Sequence, residues 1–418
     1  MHYCSKTRIG EDMGKTNFKN SLWTRDNIEV LHGMNSESVD LIYLDPPFNS
    51  KRLYSAPIGS KAAGVAFKDT WTWNDVNEAY LEKLVSDYPS IVKLIETAQV
   101  YDSGMAAYIT YMAQRIIEMY RVLKATGSLY LHCDPTASHY LKILLDGVFG
   151  ENRFVNEIIW HYTSGGAGKK WFARKHDIIL LYSKTDKYYF NQQKYKRYLD
   201  KSKGYDPRIE YFKDEETGRD YRLNIMPDVW TDIGIISPNG FERLGYPTQK
   251  PLKLLERIIQ TSSKEGDIVL DPFCGCATAC VAAQKLQRRW LGIDIEEKAT
   301  DILIQRLGDD AGLFSDFIHR NDAPQRTDII SEPISKTVKE RLFAIQNGIC
   351  AGCGKTFDIL NLEVDHIVPK TKGGGDYFEN YQLLCGSCNR IKGARPMEYL
   401  RQKIRARESI MKQISFGN

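Results

Sequence analysis

No stretch of this 418-residue chain is apolar for long enough to cross a bilayer, which takes about 20 consecutive apolar residues. Met1 to Asn20 is polar and shows no secretory signal pattern. These absences argue against a membrane partner and point to a cytoplasmic location. Internal repeats and low-complexity tracts are missing too, which excludes a solenoid and a compositionally biased linker protein. An excess of one charge is also lacking: the net charge is +4. Any contact with a polyanion must therefore come from local patches. The nine cysteines are an odd number, and four of them lie in two Cys-x-x-Cys pairs. That spacing argues for metal ligation rather than disulfides, and so for a reducing compartment. The length allows two domains with real cores.

The run Val39 to Leu44 is apolar and reads as a buried strand, and it ends in Asp45-Pro46-Pro47-Phe48. Prolines have no N–H to donate, so the ladder stops there in a rigid loop. The loop offers a carboxylate, carbonyls without sheet partners and a ring. This set suits a planar base with an amino group: the carboxylate and a proline carbonyl each accept one amino hydrogen, and the ring stacks. A second stretch, Asp271-Pro272-Phe273-Cys274-Gly275-Cys276-Ala277-Thr278, follows the apolar run Ile268 to Leu270 and precedes a helical pattern from Ala279 to Lys285. Strand, glycine turn and helix together let backbone approach a nucleotide-like cofactor. A further strand, Trp290 to Ile293, ends at Asp294, about 20 residues past the turn, where an acid can bond ribose hydroxyls.

With Tyr246-Pro247-Thr248-Gln249-Lys250-Pro251 just upstream, the two stretches resemble the amino-group DNA methyltransferases, which use S-adenosylmethionine (AdoMet). Catalytic loop first and cofactor loop second is the order of their permuted β subclass. The resemblance covers roughly residues 22 to 306. It implies an α/β Rossmann-like fold, a mixed and mostly parallel sheet with helices on both faces. It assigns Asp45, Pro46, Pro47 and Phe48 to catalysis, and Asp271, Phe273, Gly275 and Asp294 to the cofactor, with Thr248 and Lys250 as further contacts at that end. Asp26 has two open readings, an acid near the cofactor's adenine ring or a helix N-cap before Asn27 to Gly33. Ala277 stands where the family often has glycine. An acid-led Asp-Pro-Pro-Phe resembles adenine-N6 enzymes more than cytosine-N4 enzymes, where serine often replaces the acid.

Between these motifs, Asn49 to Thr70 reads as a loop facing the ligand, with Trp71 and Trp73 anchoring its far end. Asp75 to Thr97 and Ala106 to Leu123 have helical spacing, and the second carries a core stripe of Ile109, Met112, Ile116, Met119 and Leu123. Thr126 to Asp134 reads as a glycine stop and a strand, with His132 and Cys133 as buried strand residues rather than metal ligands. Asn156 to Tyr162 and Asp177 to Tyr182 are further strands. From Thr163 to Asn239 the pattern changes. Gly165 to Gly168 is a flexible turn, and cations then alternate with rings, among them Lys169, Lys170, Trp171, Arg174, Lys175, Lys194, Lys196 and Arg197. Cations neutralise phosphates and rings stack on bases. In the resembled subclass this interval holds the target-recognition region, so double-stranded DNA is the expected partner. Dimers are common there, and a homodimer is carried over on that ground alone.

Residues 308–333 read as a linker, and 1–21 as a loose tail. Residues 334–418 form a second unit. Cys350-x-x-Cys353 and Cys385-x-x-Cys388 give a strong signal for a structural, tetrahedral Zn²⁺ site. Around them lie Glu363-Val364-Asp365-His366, Asn380 and Asn389. Over about residues 334 to 396 this is similar to four-cysteine HNH nucleases, small zinc-stabilised ββα-metal units. The resemblance assigns His366 as the base that deprotonates water, Asp365 and Asn389 as oxygen ligands for Mg²⁺, and Asn380 as the residue orienting the histidine loop. Arg395 to Lys412 is basic with a helical pattern. The expectation is a DNA methyltransferase fused to an endonuclease, with a restriction–modification role by analogy. A silent DNA-clamping tail and an RNA methyltransferase remain open alternatives.

Overall fold

The computed structural model describes residues 20–406 apart from 58–59, 61, 63–65, 74–75, 77–83, 85–86, 164–168, 200–207, 238–239, 241, 299, 304–305, 307–316, 330, 396 and 398. Residues 1–19 of the expected loose tail, the flexible turn at Gly165 to Gly168, Cys4 and the basic tail beyond residue 406 lie outside these; Asn20 and Ser21, also expected in the tail, belong to the fold, with Asn20 bonded to Gln284 and Ser21 in the first strand. In chain order the elements are β1 (Ser21–Thr24), α1 (Asn27–Gly33), β2 (Val39–Leu44), β3 (Arg52–Ser55), β4 (Ala66–Asp69), α2 (Pro89–Tyr101), α3 (Ser103–Val122), β5 (Leu123–Cys133) and α4 (Ser138–Phe149). There follow β6 (Phe154–His161), β7 (His176–Ser183), β8 (Lys194–Tyr198), β9 (Phe212–Lys213), β10 (Asp220–Ile225), β11 (Val229–Trp230), α5 (Leu252–Ser262), β12 (Ile268–Asp271), α6 (Thr278–Lys285), β13 (Arg289–Asp294) and β14 (Ile318–Arg320). The last unit comprises α7 (Lys336–Gln346), β15 (Leu362–His366), β16 (Tyr381–Cys385) and α8 (Gly386–Lys392).

Among the described residues, nine strands form one sheet in the order β11-β6-β7-β5-β2-β12-β13-β1-β14, in which β7 alone runs against its neighbours. This is the mixed, mostly parallel sheet that the resemblance implies. Side chains alternate between its faces as strand geometry requires. In β2, Ile42 and Leu44 enter the core beneath α1 to α4, while Leu41 and Tyr43 enter the core beneath α5 and α6. Both faces are thereby covered, which is why the central strands read as continuous apolar runs rather than alternating ones.

β2 and β12 are hydrogen-bonded neighbours at the centre of the sheet. The chain builds outward from β2 on one side and from β12 on the other, so their carboxyl ends open at the topological switch point, where such sheets bind ligands. Loop 45–48 and loop 272–277 therefore stand side by side although more than half the chain separates them.

Several expectations shift. Part of the helix expected over Asp75 to Thr97 lies outside the described residues, and α2 starts afresh at Pro89, which has no N–H to lose at a first helical position. Leu123 begins β5 rather than ending the helical stripe, while Ile109, Met112, Ile116 and Met119 are fully buried as expected. β1, for which the sequence carried no signal, sits between β13 and β14. The segment expected as a linker is tied to the first domain. β14 pairs in parallel with β1, Asn35 exchanges hydrogen bonds with Thr327 (2.7 and 2.9 Å), and Ser36 N–H donates to Asp328 (2.8 Å).

Candidate active sites

One cavity of about 490 Å³ joins the two loops. Asp45, Pro46, Pro47 and Phe48 line one side, Asp271, Phe273, Gly275 and Asp294 the other, with Asp26, Tyr246, Thr248 and Lys250 between. The sequence-predicted residues thus converge on one space. The hairpin β3–β4 flanks it through Tyr54 and Asp69. Asp69 folds the chain after Phe48 by accepting from the N–H groups of Asn49 (2.6 Å) and Ser50 (2.9 Å). Trp71 packs on Tyr111 at 4.1 Å between centroids, the anchoring role expected of it.

The Asp45 carboxylate in this cavity is only half satisfied. Lys250 Nζ donates to Oδ2 at 2.6 Å, while Oδ1 is buried and has no hydrogen-bond partner among the described residues. Buried polar atoms are nearly always paired, so an unpaired one in a cavity marks the place for a donor that arrives with a ligand. Lys250 is expected at the cofactor end. The structure puts its ammonium on the Asp45 carboxylate and 5.3 Å from the Phe48 ring centroid. No motif spacing could have foreseen this, because the contact crosses 205 residues.

Phe48 lies nearly parallel to the ring of His132, 6.2 Å away at 20°. His132 is fully buried on β5, as expected of a strand residue. Its Nε2 meets Asp177 (3.0 Å) and its Nδ1 meets the Tyr43 hydroxyl (3.0 Å). Burial pushes the Asp177 carboxyl up, but the hydrogen bond and charge of His132 outweigh it and leave Asp177 below the usual range. Burial keeps the Tyr43 phenol protonated. Asp177 on one ring nitrogen and Tyr43 on the other hold the His132 ring in place beside Phe48.

At the cofactor end, Gly275 has φ +49°, and a Cβ there would press on the Tyr246 ring at 3.0–3.2 Å. Ala277 is also left-handed (φ +57°), a conformation that glycine adopts more readily than alanine, in keeping with the glycine that the resemblance implies at that place. Asp294 accepts from Gly275 N–H (2.7 Å) and Glu296 N–H (2.9 Å). Burial raises its affinity for a proton against these bonds. Of the two open readings of Asp26, the structure shows the N-cap. It caps α1 through Ile28 N–H (3.1 Å) and lines the cavity, and it also accepts from Arg115 (2.8 Å). The cradle of acids, the Phe273 ring and the Tyr246 ring fits a nucleoside with a charged tail.

The basic insert forms a three-stranded antiparallel sheet, β8-β10-β9. Lys169, Lys170, Arg174, Lys194 and Arg197 are exposed. Two of the expected DNA contacts are committed elsewhere. Lys196 bonds Asp214 (2.7 Å), and Lys175 donates to Thr163 O (2.9 Å).

In the last unit, β15 and β16 pair antiparallel and α8 packs against them. The Sγ atoms of Cys350, Cys353, Cys385 and Cys388 all lie within 4.8 Å of one another. Tetrahedral Zn–S bonds of about 2.3 Å put sulfurs roughly 3.8 Å apart, so the cluster fits a metal ion. Cys385 N–H donates to Cys350 Sγ (3.2 Å). Asn380 is buried; its Oδ1 accepts from Val368 N–H (2.8 Å) and its Nδ2 donates to Val368 O and Gly375 O (3.0 Å each). It braces the loop after His366, as the resemblance implies. His366 Nε2 bonds Asp376 Oδ1 (2.9 Å), a partner that the sequence did not reveal. Burial opposes ionisation of Asp376, but hydrogen bonds from Lys370, His366 and Tyr381 bring it down to about 2. The ionised carboxylate holds the proton on Nε2 and leaves Nδ1 as the basic nitrogen.

The two expected Mg²⁺ ligands point into one face, on different rungs. Asp365 accepts from Gln382 (2.9 Å) and from the buried Lys392 (3.0 Å). Asn389 donates to Glu363 (2.5 Å). Glu363 and Asp365 share a strand face, and Asn389 and Lys392 a helix face, so all four meet between β15 and α8. The oxygen donors suit a hard cation, which here has to share Asp365 with the Lys392 ammonium. This unit also touches the first domain. Arg25 donates to Thr371 O (2.6 Å), and Lys372 pairs with Glu29.

Comparison with known proteins follows this division. The family model for DNA methylases of the N6/N4 type matches residues 39–305. The chain belongs to that family. A model for HNH endonucleases matches residues 350–395 of the same DNA methylase. Among its relatives, the type II methyltransferase M.EcaI of Enterobacter cloacae is 25% identical over 378 residues, covering 75% of each chain. The DNA adenine methyltransferase YhdJ of Escherichia coli is 29% identical over 308 residues, 73% of this chain and 86% of the other. The solved PvuII DNA methyltransferase (cytosine-N4-specific) superposes with a TM-score of 0.42 at 14% identity, over 72% of this chain and 95% of that one.

Proposed function

We propose that this DNA methylase transfers a methyl group from AdoMet to the N6 amine of a flipped-out adenine at a specific site, and that its HNH unit cuts DNA with Zn²⁺ as structural metal and Mg²⁺ as catalytic ion. The observation that carries the methyl-transfer reading is the unpaired, buried Asp45 Oδ1 in the cavity shared by both loops. Bound AdoMet supplies a methyl on a positively charged sulfur. Asp271, Phe273, Gly275 and Asp294 hold it beside the catalytic loop. Asp45 Oδ1 and a proline carbonyl accept the two amino hydrogens, which localises the nitrogen lone pair and stabilises the charge that develops there. Lys250 fixes the other oxygen, so Asp45 keeps its orientation. Phe48 stacks on the extruded base, and alignment of nitrogen, methyl and sulfur contributes the rest.

The test is nucleoside mass spectrometry on duplex DNA incubated with the protein and AdoMet, with EDTA to silence the nuclease. N6-methyladenine is the expected product. N4-methylcytosine would keep the mechanism and change the base, and no mark on DNA together with methylation of RNA would overturn the DNA reading. Asp45→Ala should still bind AdoMet and methylate little. In the HNH unit, His366 Nδ1 takes the proton from water, and Asp365 and Asn389 would hold Mg²⁺, which would offset negative charge during cleavage. Metal-dependent nicking that survives His366→Ala would refute this assignment. A restriction–modification role, a cytoplasmic location and a homodimer belong to the same proposal; sedimentation of the full chain tests the last.

A further inference from the structure

Trp171 is 67% exposed and Phe172 is 99% exposed, two adjacent large rings in water on one connection. An ordinary surface places such rings singly; together they mark a surface that is covered in use. Lys169 and Lys170 precede them and Arg174 follows, all exposed. The covering partner is therefore a polyanion that also offers apolar faces, which is duplex DNA.

The position of the connection selects what it does there. It joins β6 to β7 and is closed at its neck, where Tyr162 N–H donates to Lys175 O (3.0 Å) and Lys175 Nζ to Thr163 O (2.9 Å). β7 runs against β5, with Ile178 opposite Cys133, so β7 starts at the edge of the sheet where the catalytic loop emerges. Asp177, two residues past the neck, bonds His132, and His132 lies under Phe48. The connection that carries the exposed rings thus leaves the sheet at the edge from which loop 45–48 emerges.

We propose that Trp171 and Phe172 form the wedge that enters the duplex as the target base leaves it. Extruding a base unstacks its neighbours at a cost of a few kcal/mol, and an inserted ring restores part of that stacking. The flanking cations seat the connection on the phosphates to either side. This rests on the methyltransferase reading, and it adds the residues that open the helix.

The test compares Trp171→Ala, Phe172→Ala and Phe172→Tyr with the wild type on two oligonucleotide duplexes carrying the methylated site, once that site is mapped. In one duplex the target base is paired. In the other it faces an abasic position and is already free to leave. The alanine variants should lose about tenfold or more of their turnover on the paired duplex, since each 1.4 kcal/mol of lost restacking is a factor of ten. On the abasic duplex they should stay within about twofold of wild type, by the same logic. Phe172→Tyr should retain activity on both, and AdoMet binding should be unchanged throughout. Equal losses on both duplexes, or no loss on either, would overturn the wedge while leaving the methyltransferase reading intact. A wild-type protein that methylates neither duplex would overturn both.

Discussion

Lys250→Met tests the link between the two motif halves most directly. The Lys250 and Asp45 side chains are 9% and 16% exposed, with their charged atoms 2.6 Å apart. Breaking such a pair from one side costs about 3–5 kcal/mol, because the stranded charge keeps its desolvation penalty without its partner. Removing both charges, as in Lys250→Met with Asp45→Asn, should cost far less than the two single changes added together. Neutral replacements of a buried pair are often tolerated. A double-mutant cycle on the full chain, read by urea unfolding without AdoMet so that ligand binding adds nothing, should give a coupling of roughly 2–3 kcal/mol. A coupling below about 0.5 kcal/mol would mean that each group is solvated on its own, and would refute the reasoning. Function separates the roles further. Lys250→Met should bind AdoMet almost normally and lose turnover. Lost AdoMet affinity with turnover kept would return Lys250 to the cofactor end, where the sequence alone puts it.

Other predictions concern the nuclease unit and the cofactor turn. Chelation of the metal, or Cys353→Ser, should expose residues 335–406 to protease while methyl transfer continues, since the hydrophobic core of this unit is small and built around the cysteines. Gly373→Ala should loosen the docking of this unit on α1, because φ is +85° and the added Cβ would collide with Glu29 O; faster proteolysis between the units is the readout. Asp376 sits below its ordinary 3.8 at about 2, so its contribution to stability is present above pH 4 and is lost as pH falls from 3.8 toward 2. Acid unfolding of the nuclease unit, followed by near-UV circular dichroism, should lose that dependence in Asp376→Asn. Gly275→Ala should weaken AdoMet binding, measured by calorimetry, because its Cβ would crowd Tyr246.

Local pattern was enough to pick out the residues that the fold brings together in its cavity and its cysteine cluster. An apolar run that ends in Asp45-Pro46-Pro47-Phe48 must be a buried strand with a rigid loop at its end. The Gly275 turn between β12 and α6 follows from the same rules, as do the two Cys-x-x-Cys knuckles. All of these are short-range signals that backbone sterics and ligand spacing dictate. What the sequence could not give is who meets whom across the sheet. Strand order at the switch point is a global packing outcome, and it alone decided that Lys250 reaches Asp45 and that His132 lies beneath Phe48. Hydrogen-bond partners chosen by space rather than spacing explain the other surprises. Asp376 on His366 and Lys196 on Asp214 are examples, each a polar group paired with a complementary one that the fold brings near. The segment after residue 317 looked like a linker because its composition is polar; only the exposed edge of β1, itself too short to read, turned part of it into a strand.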